Sequence, residues 1–229
     1  MKWVYLCFDL VIGSAGLWAS FRYKLNTHSR SRQMIRAFCM VSIPFIVWDV
    51  FAAKSGHWSF NGVYTLGVRV LGLPIEELLF FIVVPFACMV VWDGVEKYVE
   101  DSGFLSGHMV IACFELFSLV LLITQWEHMY TRVVSLAFLA VCIVLSQWLR
   151  AVIMRKRFWI FQLSVLLLFV FGNLILTGLP IVRYGADAIT GMRFLTIPFE
   201  DFLYNFVLLN LFLIGYRFSS KSMDHVPSE

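Results

Sequence analysis

A chain of 229 residues that is 60% hydrophobic and 14% charged, with a mean hydropathy of +0.81, is an integral membrane protein. It has room for about seven spans of roughly 20 residues with short connections, which leaves little for a separate soluble domain. The net charge of +3 is small, its distribution says more than its sum, and no nucleic-acid partner is expected.

Apolar runs cover about 3–21, 34–53, 74–95, 108–124, 130–149, 158–178 and 198–216. The first follows only Lys2, as a secretory signal would. It is longer than a usual signal core and ends in Arg22 and Lys24, so it reads as a retained helix. Cys7, Cys39, Cys88, Cys113 and Cys142 stand singly inside apolar runs, as small packing residues rather than a disulfide framework or a metal site. With seven spans, the loops alternate between two sides. One side holds Lys2, Lys54, Arg69, Arg132, Arg183 and Arg193. The other holds Arg22, Lys24, Arg30, Arg32, Arg36, Lys97, Arg150, Arg155, Lys156, Arg157, Arg217 and Lys221. Twelve against six places the second side in the cytoplasm, the N-terminus outside and the C-terminus inside.

The chain repeats itself. Gly67-Val68-Arg69-Val70-Leu71-Gly72-Leu73-Pro74-Ile75-Glu76-Glu77 aligns without a gap to Gly191-Met192-Arg193-Phe194-Leu195-Thr196-Ile197-Pro198-Phe199-Glu200-Asp201, 124 residues later. At the same offset Asp49, near the end of the second span, falls opposite Asn173 in the sixth. Spans one to three therefore correspond to spans five to seven, which divides the chain into residues 1–105, a connecting helix over 106–126, and residues 127–229. Two three-span units fused directly would be inverted, and one extra span restores the orientation. The expected fold is an all-α membrane protein of seven transmembrane helices, two parallel three-helix repeats joined by one connecting helix. Its pseudo-twofold axis runs along the membrane normal, with any site near the interface between repeats.

Both acidic motifs enter their helices from the outer side. Proline suits the first helical position, and acids in the first turn suit the positive end of the helix dipole. Capping alone, the plainer reading, needs neither two acids nor the shared Gly-x-Arg approach. Acids in lipid cost a few kcal/mol each, so a duplicated pair implies a use. Adjacent helix positions point about 100° apart, so one acid of each pair faces the bundle interior while the other meets a side neighbour. Burial and a nearby carboxylate both favour the protonated form, which is what a proton donor needs. Arg69 and Arg193 are each expected to hold one acid ionised and leave another protonated. The surroundings are aromatic: Trp48, Trp58, Phe60, Tyr64, Phe80, Phe81, Phe199, Phe202 and Tyr204. Most read as belt or packing residues. Phe80, Phe81 and Tyr204 lie about one turn from the acids, where a ring face stabilises a passing cation. An acid within dry aromatic walls is what proton-initiated cyclisation of an olefin requires.

The two PxE(E/D) motifs, the Asp49…Gly56-x-Trp58-x-Phe60 stretch and the three-plus-one-plus-three layout resemble the membrane lycopene cyclases. In that family two small halves are separate subunits in some bacteria and fused in others. The resemblance covers essentially the whole chain, as a fused pair. In the second half Asn173 replaces Asp49, Val182 replaces Trp58 and Asp201 replaces Glu77, which sets the two halves apart catalytically. The resemblance implies conversion of lycopene to γ- and β-carotene without net redox change and without a cofactor or metal. A carboxylic acid protonates the terminal double bond, the C5=C6 bond attacks the resulting cation, and a base removes a proton. It casts Glu76 or Glu200 as the acid and Glu77 or Asp201 as partner or base. Asp49 and Asn173 stand behind them, and Trp58, Arg69, Phe80, Phe81, Arg193 and Tyr204 lie against the substrate. It further implies a bacterial cell membrane, a lipid-soluble carotenoid substrate, membrane lipids, and other carotenoid-pathway enzymes as partners. Full cyclisation by Glu76→Gln and Glu200→Gln, singly and together, would overturn that assignment of the acid.

Other chemistries lack their signals. No GxGxxG follows a strand pattern, so no Rossmann-bound flavin or nicotinamide is expected. No DDxxD-like run exists to hold magnesium and a diphosphate. His28, His57, His108, His128 and His225 are isolated, without metal-ligand spacing. Glu115, Asn205 and Asn210 are polar within apolar runs, where interhelical hydrogen bonds account for them as well as function does. No lysine lies in span seven to carry a retinal Schiff base. The rival class is a small-solute or proton-coupled transporter, since parallel three-span repeats and membrane acids serve that purpose too. Bulky aromatics and few polar groups count against it. A membrane cyclase for another prenyl chain keeps the chemistry and changes the substrate.

Overall fold

Apolar runs in lipid leave the backbone no hydrogen-bonding partner but itself, so each closes into a helix. The computed structural model describes residues 1–27 and 29–221, the side chains of 217–221 excepted. His28, His225 and the side chains of Arg217 and Lys221 thus lie outside the described residues. Seven spans form: α1 (Val4–Arg22), a composite second span, α4 (Ile75–Tyr98), α5 (Gly107–Thr124), α6 (Met129–Gln147), α8 (Lys156–Gly178) and α9 (Phe199–Lys221). The second span is α2 (Ser31–Ala37), a π-helical turn (Phe38–Ser42) and α3 (Ile43–Lys54). Pro44 stands two residues beyond the end of that turn and lacks an N–H, so a widened turn lets the ladder pass it. A short α7 (Arg150–Ile153) joins α6 to α8.

Within the first repeat α1 runs parallel to α4, and Gly13 and Gly16 let them close. A Cβ on Gly13 would lie 3.2 Å from Val83, and one on Gly16 would lie 3.1 Å from Phe86. Small residues serve this purpose wherever no hydrophobic effect drives helices together. α6 packs on α9 in the same way in the second repeat. The middle span of each repeat leans on the third span of the other: α2 and the π turn on α9, and α8 on α4. α5 flanks α6 at the periphery. Interhelical hydrogen bonds hold Glu115 and Asn210, with Ser146 Oγ donating to Glu115 at 2.7 Å and Gln162 Nε2 to the Asn210 amide oxygen at 2.9 Å. Cys88 and Cys142 are buried as packing residues, Cys7, Cys39 and Cys113 lie on the exposed apolar surface, and all five are free thiols.

The repeat symmetry is written in backbone hydrogen bonds on one face, where the chain begins. β1 (Trp58–Phe60) pairs antiparallel with β4 (Val182–Tyr184), in the register Trp58↔Tyr184, Ser59↔Arg183 and Phe60↔Val182. Ser59 and Arg183 are repeat equivalents, so their pairing lies on the twofold axis. The outer pairs exchange equivalents, as do the flanking bonds from Asn61 N to Ile181 O and from Gly185 N to His57 O, both 2.8 Å. Each repeat adds a hairpin on this face: β2 (Arg69–Val70) with β3 (Leu73–Pro74), and β5 (Arg193–Phe194) with β6 (Ile197–Pro198). Leu71 (φ 55°) and Gly72 (φ 97°) both take the left-handed conformation a two-residue hairpin turn favours. Pro74 caps α4 rather than opening it, one residue earlier than the expected first helical position, so Glu76 and Glu77 are its second and third residues.

Candidate active site

The first acid of each pair is spent on the hairpin loop above it. Glu76 Oε1 accepts the Leu66 backbone N–H at 2.6 Å, and Glu200 Oε1 accepts that of the equivalent Thr190 at 2.7 Å. Both carboxyls are fully buried, and Oε2 of each has no hydrogen-bond partner. Glu200 also accepts the Thr131 hydroxyl at 2.7 Å. The arginines correct an expectation: neither Arg69 nor Arg193 forms an ion pair with these acids among the described residues. Their guanidinium groups donate instead to the turn carbonyls of Gly72 and Thr196, both at 2.8 Å, so each arginine braces its own hairpin. The physical reason is exposure. A guanidinium keeps its hydration at the surface, and the turn carbonyl is the acceptor within reach there.

One residue on, the helix turns through about 100° and aims the second acid into the space between repeats. The Tyr5 hydroxyl donates to Glu77 Oε2 at 2.5 Å. Asp201 receives three donors: Tyr130 OH at 3.0 Å, Tyr184 OH at 2.6 Å and Asn173 Nδ2 at 3.0 Å. Tyr5 and Tyr130 occupy the same place in their repeats. Their backbone N–H groups donate to Tyr64 O at 3.2 Å and to its equivalent Ala188 O at 3.0 Å. Asp49 Oδ1 accepts the Trp58 indole N–H at 2.6 Å, while its Oδ2 has no hydrogen-bond partner. Asp49 lies close enough to Glu77 for each charge to feel the other. The Tyr204 hydroxyl lies within electrostatic reach of Asp49, Glu77 and Asp201.

Aromatic rings wall this cluster. Trp58 meets Tyr130 edge-on with ring centroids 5.0 Å apart, and Tyr130 stacks on Tyr184 at 6.2 Å. Tyr204 packs on Phe45 at 5.3 Å and on Tyr130 at 6.4 Å. Phe45 leads on to the buried Phe81 at 6.4 Å, and the half-buried Phe80 packs against Phe81 at 5.7 Å. Phe199 and Phe202 pack instead on Phe117 of α5 and Phe169 of α8. Burial beside Asp201 pushes the Tyr184 phenol well above its ordinary pKa, so it stays a hydrogen-bond donor. His57 is buried against Trp48, Phe51 and Trp58, and burial lowers its pKa.

Sequence reasoning missed Tyr5, Asp9, Tyr130, Thr131 and Tyr184. The two first-helix tyrosines stand 125 residues apart rather than 124, so a one-residue difference between the repeats hid their equivalence. Asp9 had a plain signal, being the one charged residue in the run 3–21.

A family model described as lycopene cyclase matches residues 2–94 and again residues 127–219. Neither the search of curated proteins nor that of solved structures gives a match. Two tandem matches over most of the length, on seven apolar helices whose hydrogen bonds repeat with the sequence, make this chain a multi-pass membrane protein of the lycopene cyclase family, an enzyme of the carotenoid cyclase type.

Proposed function

We propose that the protein converts the acyclic end groups of lycopene to β-rings, with Glu77 as the proton donor and Asp201 as the carboxylate that takes a proton back. The observation that carries this division is one atom at equivalent positions. Beside Glu77 stands the carboxyl of Asp49, and two neighbouring buried carboxyls cannot both stay ionised, so one keeps its proton. Beside Asp201 stands the amide of Asn173, whose N–H, together with two phenols, stabilises the ionised form. The roles first given to Glu76 and Glu200 thereby pass to their neighbours, because the first acids are engaged with loop amides.

Glu77 gives its proton to C2 of the terminal double bond, leaving a tertiary cation at C1. The C5=C6 electron pair forms the C1–C6 bond and moves the cation to C5. Asp201 takes the proton from C6, and the C5=C6 bond is restored within the ring. One proton enters and one leaves, so the reaction is an isomerisation (an intramolecular lyase step) and its balance needs no redox cofactor. The ring faces around Tyr204 stabilise the passing cation, and a dry site keeps water from capturing it as an alcohol. Trp58 orients Asp49, while Arg69 and Arg193 hold the hairpins that seat the acids. Substrate and product travel in the lipid of the cell membrane, alongside other carotenoid-pathway enzymes, with the hairpin face and N-terminus outside and the C-terminus in the cytoplasm.

Expression in cells that accumulate red lycopene tests this. Yellow monocyclic and bicyclic product is expected from the unaltered chain, and none from Glu77→Gln present at equal level in the membrane. Unchanged pigment with the unaltered protein in place would overturn the substrate assignment and point to another prenyl chain.

A further inference from the structure

Asp9 lies in the second turn of α1, fully buried, and neither of its carboxyl oxygens has a hydrogen-bond partner. An ionisable side chain inside a membrane bundle is costly and marks function by default. Its surroundings say which function. Tyr5 stands four residues earlier, on the same face of α1, and its hydroxyl donates to Glu77. Across the α1–α4 contact Asp9 lies within electrostatic reach of Glu76, whose Oε2 is likewise without a hydrogen-bond partner. The charges of Glu77 and Asp9 are also within mutual reach. The second repeat has no such group. At the offset that relates Tyr5 to Tyr130, Val134 replaces Asp9, and Thr131 supplies Glu200 with a hydroxyl where the first repeat has Leu6. Among the described residues, the buried carboxyl with neither oxygen partnered thus accompanies the proposed donor and not the proposed base.

We propose that Asp9 is the proton reservoir of the active site, a positioning residue that recharges Glu77 between turnovers through Tyr5. The inference rests on the reading of Glu77 as the acid. After Glu77 has protonated a substrate, the Tyr5 phenol proton moves along its hydrogen bond to Glu77. The Asp9 carboxyl, held by no hydrogen bond of its own, turns to the phenol oxygen one helical turn away and passes its proton there. Glu77 and Tyr5 are then neutral, and Asp9 carries the charge. Asp9 takes a proton back from water at the hairpin face by way of Glu76, whose other oxygen touches the loop amide of Leu66. Asp201 releases to water the proton taken from the ring, so the sum over a cycle is zero.

The test compares purified full-length protein with Asp9→Asn, Asp9→Glu and Tyr5→Phe, supplied with lycopene in lipid nanodiscs and followed by rapid quench. Asp9→Asn is expected to form its first product per site within about twofold of the unaltered rate, and to turn over afterwards about tenfold or more slowly, the low end of proton-transfer effects. Asp9→Glu is expected to restore repeated turnover, and Tyr5→Phe to stall like Asp9→Asn. The thermal midpoint of Asp9→Asn is expected to stay level or rise, because an unpartnered buried carboxyl is lost. Unaltered repeated turnover in Asp9→Asn would overturn the proposal, as would loss of the first turnover in a folded protein. If Asp9→Asn does not fold, repeated turnover by Tyr5→Phe at the unaltered rate would overturn it. Cyclisation by Glu77→Gln, or none by the unaltered chain, would instead sink the reading of the active site on which it stands.

Discussion

In the first repeat the acid aimed at the axis, Glu77, meets one phenol and a second carboxyl, Asp49; in the second, Asp201 meets two phenols and the amide of Asn173. The scaffolds delivering these acids are the same to the level of single hydrogen bonds: hairpin register, arginine brace, loop amide on the first acid. The repeats therefore hold two carboxyls on equivalent scaffolds, and at the position behind them one repeat carries the carboxyl of Asp49 where the other carries the amide of Asn173. The comparison teaches that the two repeats differ in the groups behind the acids rather than in the motif that holds them.

Exchanging the two environments breaks the comparison most directly. Glu77→Gln removes the donor and is expected to cut turnover by about 10²–10⁴-fold, read by chromatography of pigments from equal amounts of membrane protein. Asp201→Asn is expected to cost about tenfold to a hundredfold. It should also leak product with the ring double bond elsewhere, since the C5 cation then loses protons from neighbouring carbons; a product pattern unchanged from that of the unaltered chain would remove Asp201 as the base. Asp49→Asn gives the first repeat the amide of the second, whose N–H would favour ionised Glu77. About a tenfold fall in kcat with little change in KM is expected.

Smaller effects sharpen the roles of the remaining groups. Glu76→Gln and Glu200→Gln keep an acceptor for the loop amide, so each is expected to shift stability by no more than about 1–3 kcal/mol. Thermal unfolding in detergent reads that shift, and cyclisation by either variant should exceed that of Glu77→Gln. The smallest effect concerns His57, whose burial lowers its pKa in the folded chain below the ordinary 6.5. Below about pH 6.5 the unfolded chain binds a proton there that the folded chain does not. The contribution of His57 to stability is thus complete above that pH and lost as pH falls through the lowered value. His57→Phe is expected to flatten this part of the curve.

Much of the fold was legible because its causes are local. Apolar length dictates a span, the repeat of Pro74-Ile75-Glu76-Glu77 as Pro198-Phe199-Glu200-Asp201 exposes the duplication, and the count of spans between copies makes them parallel. That one acid of each pair faces inward follows from helix geometry alone. Which acid it is does not, because that depends on how α4 is rotated against α1, set by Gly13 and Gly16 meeting Val83 and Phe86. The arginines looked like partners for the acids while the chain was a line, yet the hairpin turns them to their own carbonyls.

By itself, then, the sequence determined the spans, their parity, the duplicated acids and the family, since hydrophobic length and motif spacing survive without knowledge of any contact. Only the tertiary structure decided which groups touch those acids. Tyr5 reaches Glu77 across 72 positions and Tyr130 reaches Asp201 across 71. A hydrogen bond of that span leaves no periodic trace in the chain, because it is made by the packing of whole helices and not by the residues between them.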